Sequence, residues 1–260
     1  FGWKIGYLTM STLMGIGVVA TLLGPNPVEK EAPPTRIWDC TVLPFMDFLR
    51  RPQSVWILLL IVFYKFGDAF GGALCQTFML REIHMTLTEV GTLAKLSGFF
   101  GTITGTLMGA VLIQKWSWFK ALFIFGILQA ISNLSYMILL WTGPNYVVAG
   151  GSFFVENLCG GMGTVAFLGL LMGLCNPRFT AFQFALLSSL SMVGRVFVSP
   201  LAGFIADDYG WISYFMSSLV LSAPGLFLLL LLKNSIQNMT EIQAKNRADA
   251  DQASIPVLAL

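Results

Sequence analysis

A chain that must cross lipid repeatedly has few folds open to it, and this one carries seven apolar segments long enough to do so. They lie at roughly 4–24, 54–80, 87–114, 117–141, 145–175, 179–207 and 211–233. A helix rising about 1.5 Å per residue needs about 20 residues to span the hydrocarbon core, and each segment meets that requirement. Barrel strands would instead be about 10 residues long with alternating polarity, a pattern these segments lack. Gly and Pro inside several of them do not argue against helix, since membrane helices tolerate both. Composition agrees, with 56% of residues hydrophobic and 11% charged, where a soluble domain carries about 25% charged residues. An all-α, polytopic membrane protein is expected.

Orientation follows from Lys and Arg in the connections. If the spans alternate, Lys30, Arg36, Arg50, Arg51, Lys115, Lys120, Arg178, Lys233, Lys245 and Arg247 fall on one side. Only Lys4 and Arg81 fall on the other, beside Glu82, Asp207 and Asp208. The basic side is the cytoplasmic one, so the connection 25–53 and the tail 234–260 are expected there.

That connection holds six of the eleven prolines, which interrupt any continuous helix. Its "PFMDFLRR" (44–51) sets Phe45, Met46, Phe48 and Leu49 beside Arg50 and Arg51. This suits a short helix at the lipid surface, and equally an ordinary loop. The tail is polar and expected to be mobile. The chain starts at Phe1, and one span, a linker and six spans match a twelve-span transporter cut near its midpoint. Such transporters pair two six-span halves around a central site. The organisation expected is 1–24 as the last span of a first half, 25–53 as linker, and 54–233 as a six-span bundle.

Charges inside the spans carry the functional signal. Lys65 and Asp68 lie in the second span, Lys95 in the third, Glu156 in the fifth and Arg195 in the sixth, whereas the fourth and seventh interiors have none. Each costs about 3 kcal/mol at a helix centre facing lipid, so five cost about 15 kcal/mol, above the usual stability of a domain. They must face each other or a wet cavity. Lys65 and Asp68, three apart, share a helical face. Asp68 and Lys95 sit at similar depth, which predicts a structural ion pair between them. Three cations and two acids form a belt with one surplus positive charge. Any of Lys65, Lys95 and Arg195 can alternatively serve only to lock helices together. Asp68 and Glu156 are the groups able to take up and release a proton. Glu156 stands in "FFVENLCGGMG" (153–163) with Asn157 beside it. Gly160 and Gly163 share its face, leaving room for a ligand or for a neighbouring helix.

Other features read as architecture. Ser97, Gly101, Gly105 and Gly109 form an i, i+4 ladder that permits close helix contact. Pro200 is expected to bend the sixth span, and Thr86 with Glu89 forms a capping box that opens the third. Catalytic signals are weak. His84 is the single histidine and has no nucleophile beside it. Cys40, Cys75, Cys159 and Cys175 show no metal spacing, and Asp207–Asp208 reads as a solvated helix end. No metal, cofactor or enzymatic activity is expected.

"FYKFGDAF" (63–70), "FGILQAISNLSY" (125–136), "FVENLCGGMGTVAFLGLLMGLCN" (154–176) and "FQFALLSSLSMVGRVFVSPLAG" (182–203) resemble the C-terminal half of the AmpG muropeptide permeases of the major facilitator superfamily. The likeness runs from about residue 2 to 233. It implies the facilitator fold, with a C-terminal six-helix bundle preceded by one span and a cytoplasmic linker. It also implies a multi-pass protein of the bacterial inner membrane that imports anhydro-muropeptides by proton symport, for peptidoglycan recycling and beta-lactamase induction. Related permeases carry other anionic solutes such as acetyl-CoA, and a non-transporting receptor is the further alternative.

In that topology the seven spans correspond to the sixth through twelfth, whose seventh and tenth line the cavity and whose ninth and twelfth face outward. The charged segments are the cavity-lining and flanking ones. Lys65 and Arg195 then attract substrate carboxylates with Asn157 beside them, and Asp68 or Glu156 carries the proton. Phe153 and Phe154 offer a face to a sugar ring, or contact lipid. The partners expected are an anionic glycopeptide, protons, the bilayer and the N-terminal half of the same transporter, with no nucleic acid.

Overall fold

A computed structural model describes residues 3–24, 37–176 and 179–237. The chain divides between Arg36 and Ile37 into two compact units. The first contains α1 (Trp3–Leu23), an apolar helix whose described residues are all exposed. Residues 25–36 of the expected linker and 238–260 of the expected mobile tail lie outside the described residues.

The second unit begins with α2 (Ile37–Leu49), which includes the first six residues of "PFMDFLRR". The second span follows as three pieces, α3 (Ser54–Tyr64), α4 (Phe66–Ala73) and α5 (Cys75–Arg81). Then come α6 (Leu87–Lys115) and α7 (Trp118–Ser132), which continues through a 3-10 segment (Asn133–Met137) into α8 (Ile138–Thr142). The unit ends with α9 (Tyr146–Leu174) and α10 (Thr180–Leu231). Among the described residues, six helical stretches are long and apolar enough to span a membrane. The last has 52 residues but is two arms meeting at Gly210, where φ 80° and ψ 170° leave the helical region. Glycine alone occupies such a conformation without strain. Each of the seven apolar segments is therefore helical over most of its described residues. Pro200 lies inside the first arm, whose dihedrals stay helical as far as Gly210.

Local signals act as read. Thr86 caps α6 by accepting from the Glu89 backbone while the Glu89 carboxylate accepts from the Thr86 N–H at 2.8 Å. The glycine ladder packs α6 on α9. A side chain at Gly101 would come within 2.6 Å of the Phe154 carbonyl, and one at Gly109 within 2.9 Å of Met162 Cα.

The second span is broken twice, and the second break is filled from another helix. Leu74 has φ −117° and ψ 9°, next to Gly71 and Gly72, which weaken helix. The Tyr214 hydroxyl enters the gap, accepting from the Leu74 N–H at 3.1 Å. It lies 2.6 Å from the Phe70 carbonyl and 2.8 Å from that of Gly71, as donor to them. One side chain thus satisfies backbone groups that lipid would leave unpaired.

Apolar packing forms two cores. One gathers Phe48, Leu60, Ile61, Tyr64, Leu122, Phe125, Phe167, Leu171, Leu187 and Leu229. The other gathers Phe70, Phe78, Met79, Tyr136, Leu139, Phe153, Tyr214 and Phe215. The long spans of this unit pass from one core to the other, and polar residues mark the crossing in five of them. They are Lys65 and Asp68, Gln129 and Asn133, Glu156 and Asn157, Ser191 and Arg195, and Ser218 and Ser222. A polar belt therefore lies between two oily layers.

Candidate functional site

The belt opens into a cavity of about 330 Å³ lined by Asp68, Gly72, Thr102, Thr106, Glu156, Asn157, Gly160, Gly161, Thr164 and Arg195. A second hollow of about 210 Å³ shares Asp68, Thr164 and Arg195 and adds Lys65, Ser188 and Ser191. Four spans supply these walls, and the charged residues come from three of them.

Lys65 is the residue at which α3 gives way to α4, with φ −97° and ψ 2°. Its ammonium lies 3.6 Å from the Asp68 carboxylate and 3.5 Å from the Thr164 hydroxyl. Asn157 donates to the Phe153 carbonyl at 2.8 Å and accepts from the Thr102 hydroxyl at 3.3 Å, which aligns its amide along the wall. Glu156 faces the cavity, and its carboxylate accepts from the Tyr136 hydroxyl behind it. Arg195 is exposed to both hollows.

Three expectations need correction. The Asp68–Lys95 pair is not among the ion pairs of the described residues. Asp68 pairs with Lys65 on its own helical face, where a three-residue separation already holds the groups close. Lys95 is exposed and lines neither hollow, so the belt sets two cations against two carboxylates with no surplus. Phe153 is only 4% exposed and packs edge-on against Tyr136 at 5.6 Å, so its ring belongs to the core.

A profile of the Major Facilitator Superfamily matches residues 1–197. The chain belongs to the major facilitator superfamily. It is 45% identical over 236 residues to a protein of Escherichia coli named anhydromuropeptide permease, covering 91% of this chain and 48% of that protein. It is 33% identical over 237 residues to a putative transporter AmpG of Rickettsia conorii, covering 88% of this chain and 57% of that one. The chain thus spans about half the length of the curated relatives it matches. These relatives are named as permeases and transporters, which points away from an enzyme. With its spanning helices, this superfamily member is a multi-pass membrane protein.

The facilitator bundle also uses residues that the charges did not reveal. The fourth span carries no interior charge, yet Gln129, Asn133 and Tyr136 form a buried polar row along it. Asn133 donates weakly to the Gly67 carbonyl at 3.5 Å, and Tyr136 holds Glu156. Their i, i+4, i+7 spacing within an apolar run was the available signal. The face shared by Glu156, Gly160 and Gly163 receives this row. A side chain at Gly163 would come within 2.7 Å of the Gln129 carbonyl oxygen. The two readings left open for those glycines therefore both apply, because Gly160 lines the cavity while Gly163 admits a neighbouring helix.

Proposed function

We propose that this chain is half of a secondary active transporter that imports anhydro-muropeptides across the bacterial inner membrane by proton symport, serving peptidoglycan recycling. The supporting observation is the cavity, in which Lys65 and Arg195 stand with Asp68 and Glu156 between two apolar cores. The 45% identity to a protein named anhydromuropeptide permease supports muropeptides as the substrate class. A second six-span half would close the cavity from the opposite side, with the linker and tail cytoplasmic.

Charge counting supplies a coupling mechanism. With both carboxylates ionised, the two cations are neutralised and an anionic substrate gains little. Adding one proton leaves a net positive site that attracts a substrate carboxylate. Proton and substrate then favour each other's binding by the same factor. Asp68 is held by the Lys65 ammonium, whereas the protein donor to Glu156 is the neutral Tyr136 hydroxyl. Glu156 is accordingly assigned the transported proton, Asp68 the gating of Lys65, and Lys65, Arg195 and Asn157 the substrate.

The test is uptake of a labelled anhydro-disaccharide peptide by the full-length polypeptide in proteoliposomes under an imposed proton gradient. Accumulation that Glu156→Gln abolishes while binding survives supports the reading. Absence of accumulation by well-folded wild type would remove the muropeptide assignment, and other anionic cargo such as acetyl-CoA would then be tried.

A further inference from the structure

Lys95 is the charge within a span that the belt does not use. It lies in α6, is exposed, and has no ion-pair or hydrogen-bond partner among the described residues. Its direction follows from its neighbours on the helix. At about 100° per residue, Thr88, Thr92, Lys95, Phe99, Thr102 and Thr106 fall within an arc of about 80°. All six are exposed, and Thr102 and Thr106 line the cavity. On one side of this arc Gly101, Gly105 and Gly109 pack against α9. On the other side Leu96, Phe100, Ile103 and Leu107 form an exposed apolar face, which suits lipid. A polar stripe interrupted by one phenylalanine therefore runs from the Leu87 end of α6 to the cavity. Lys95 stands on it about 10 Å along the helix from Thr102. A lysine turned toward lipid is costly, whereas on this stripe the ammonium stands over the approach to the cavity.

We propose that Lys95 is an outer-vestibule cation, which draws the carboxylates of an anionic glycopeptide to the mouth of the cavity before Lys65 and Arg195 take them. This rests on the import reading given above, in which the Leu87 end of α6 is the outer end. The belt by itself exerts little pull at a distance, because Lys65 is paired with Asp68 and the two cations there face two carboxylates. An unpaired cation above the belt supplies the missing field. A charge at the rim of a site acts on the rate of encounter, while desolvated contacts inside it set the lifetime of the complex. Lys95 therefore serves capture, and the belt serves retention. Thr92 and Thr102 stand before and after it on the same stripe, so a substrate leaving the ammonium meets hydroxyls on its way to the cavity.

Stopped-flow binding separates association from dissociation. The probe is a labelled anhydro-disaccharide dipeptide ending in glutamate, and the protein is the full-length transporter in nanodiscs of zwitterionic lipid. Lys95→Gln is expected to lower the association rate at low salt by about three-fold or more and to leave dissociation unchanged. Lys95→Glu should lower association further, and Lys95→Arg should restore the wild-type rate. The deficit should close as salt approaches about 1 M, where the Debye length is about 3 Å. A deficit carried by dissociation, or one that persists at high salt, would assign Lys95 to an ion pair that sets the conformation of the transporter. Equal association in wild type and Lys95→Gln would leave the lysine to the lipid headgroups. Either result overturns the proposal. Failure of the muropeptide reading looks different, because wild type would then not capture the probe at all, and the proposal would fall with it.

Discussion

Tyr136 holds Glu156 from behind, its hydroxyl donating to the carboxylate across the fourth and fifth spans while the acid faces the cavity. The phenol is fully buried between Phe153 and Phe215, so the donor cannot swing away cheaply. Tyr136→Phe keeps that packing and removes only the donor. We expect a loss of about 1–3 kcal/mol in stability and an altered pH profile of transport. An unchanged profile, measured between pH 5 and 8, would show that the bond only supports packing.

Lys65→Met preserves much of the side-chain bulk but removes the ammonium. Losing one charge-assisted contact to a substrate carboxylate should weaken binding about ten-fold or more. Isothermal titration with the purified transporter measures this directly. Wild-type affinity would end the anion-binding role of Lys65 and leave it as the partner of Asp68.

Tyr214→Phe should strand the Leu74 N–H and the Phe70 carbonyl at the second break and leave the Gly71 carbonyl with the Cys75 thiol alone. The cost expected is about 1–3 kcal/mol. Faster amide hydrogen exchange at Leu74 and a lower melting temperature in detergent would report it. Protection equal to wild type would mean that water replaces the hydroxyl there.

Gly105→Ala drives a methyl into the α6–α9 contact, within 2.8 Å of Leu158 Cα. Overpacking of this sort costs about 1–3 kcal/mol. Gly91→Ala on the same helix meets nothing within 4 Å and serves as the control. Thermal melting that treats the two alike would argue against the ladder as a packing device.

Asp47 ties α2 to the turn between α9 and α10. It accepts from Arg51 at 2.7 Å, Gln183 at 3.1 Å and Asn176 at 3.4 Å. Burial pushes the carboxyl up, but the Arg51 and Gln183 hydrogen bonds, the Arg51 charge and Asn176 outweigh it and hold it below its usual 3.8. A depressed pKa means that the ionised group stabilises the fold above the unfolded-state value. That contribution disappears as pH falls below about 4 and through the folded value. Asp47→Asn should therefore loosen α2 at neutral pH and flatten its acid dependence, read by hydrogen exchange of 42–50 between pH 3 and 7.

Much of the site was legible because each inference used local information. Lys65 and Asp68 share a face through their spacing, the capping box at Thr86 and Glu89 is contained in four residues, and a glycine every fourth position marks a contact surface. The Asp68–Lys95 pair failed because depth along the membrane normal says nothing about the direction in which a side chain points. Phe153 failed for the same reason: one residue from Phe154 and three from Glu156, it faces Tyr136 rather than the cavity. The fourth span contributes neutral groups, Gln129, Asn133 and Tyr136, which charge does not mark.

Which segments are long and apolar enough to span, and the cost of facing a charge to lipid, were determined by the chain alone, since hydrocarbon thickness and desolvation act on each segment separately. Which polar groups meet was decided by the tertiary structure. The rotation of a helix about its axis is set by packing against its neighbours. Only that packing turned Tyr136 toward Glu156, set Gln129 against the Gly160–Gly163 face and left Lys95 outside the belt.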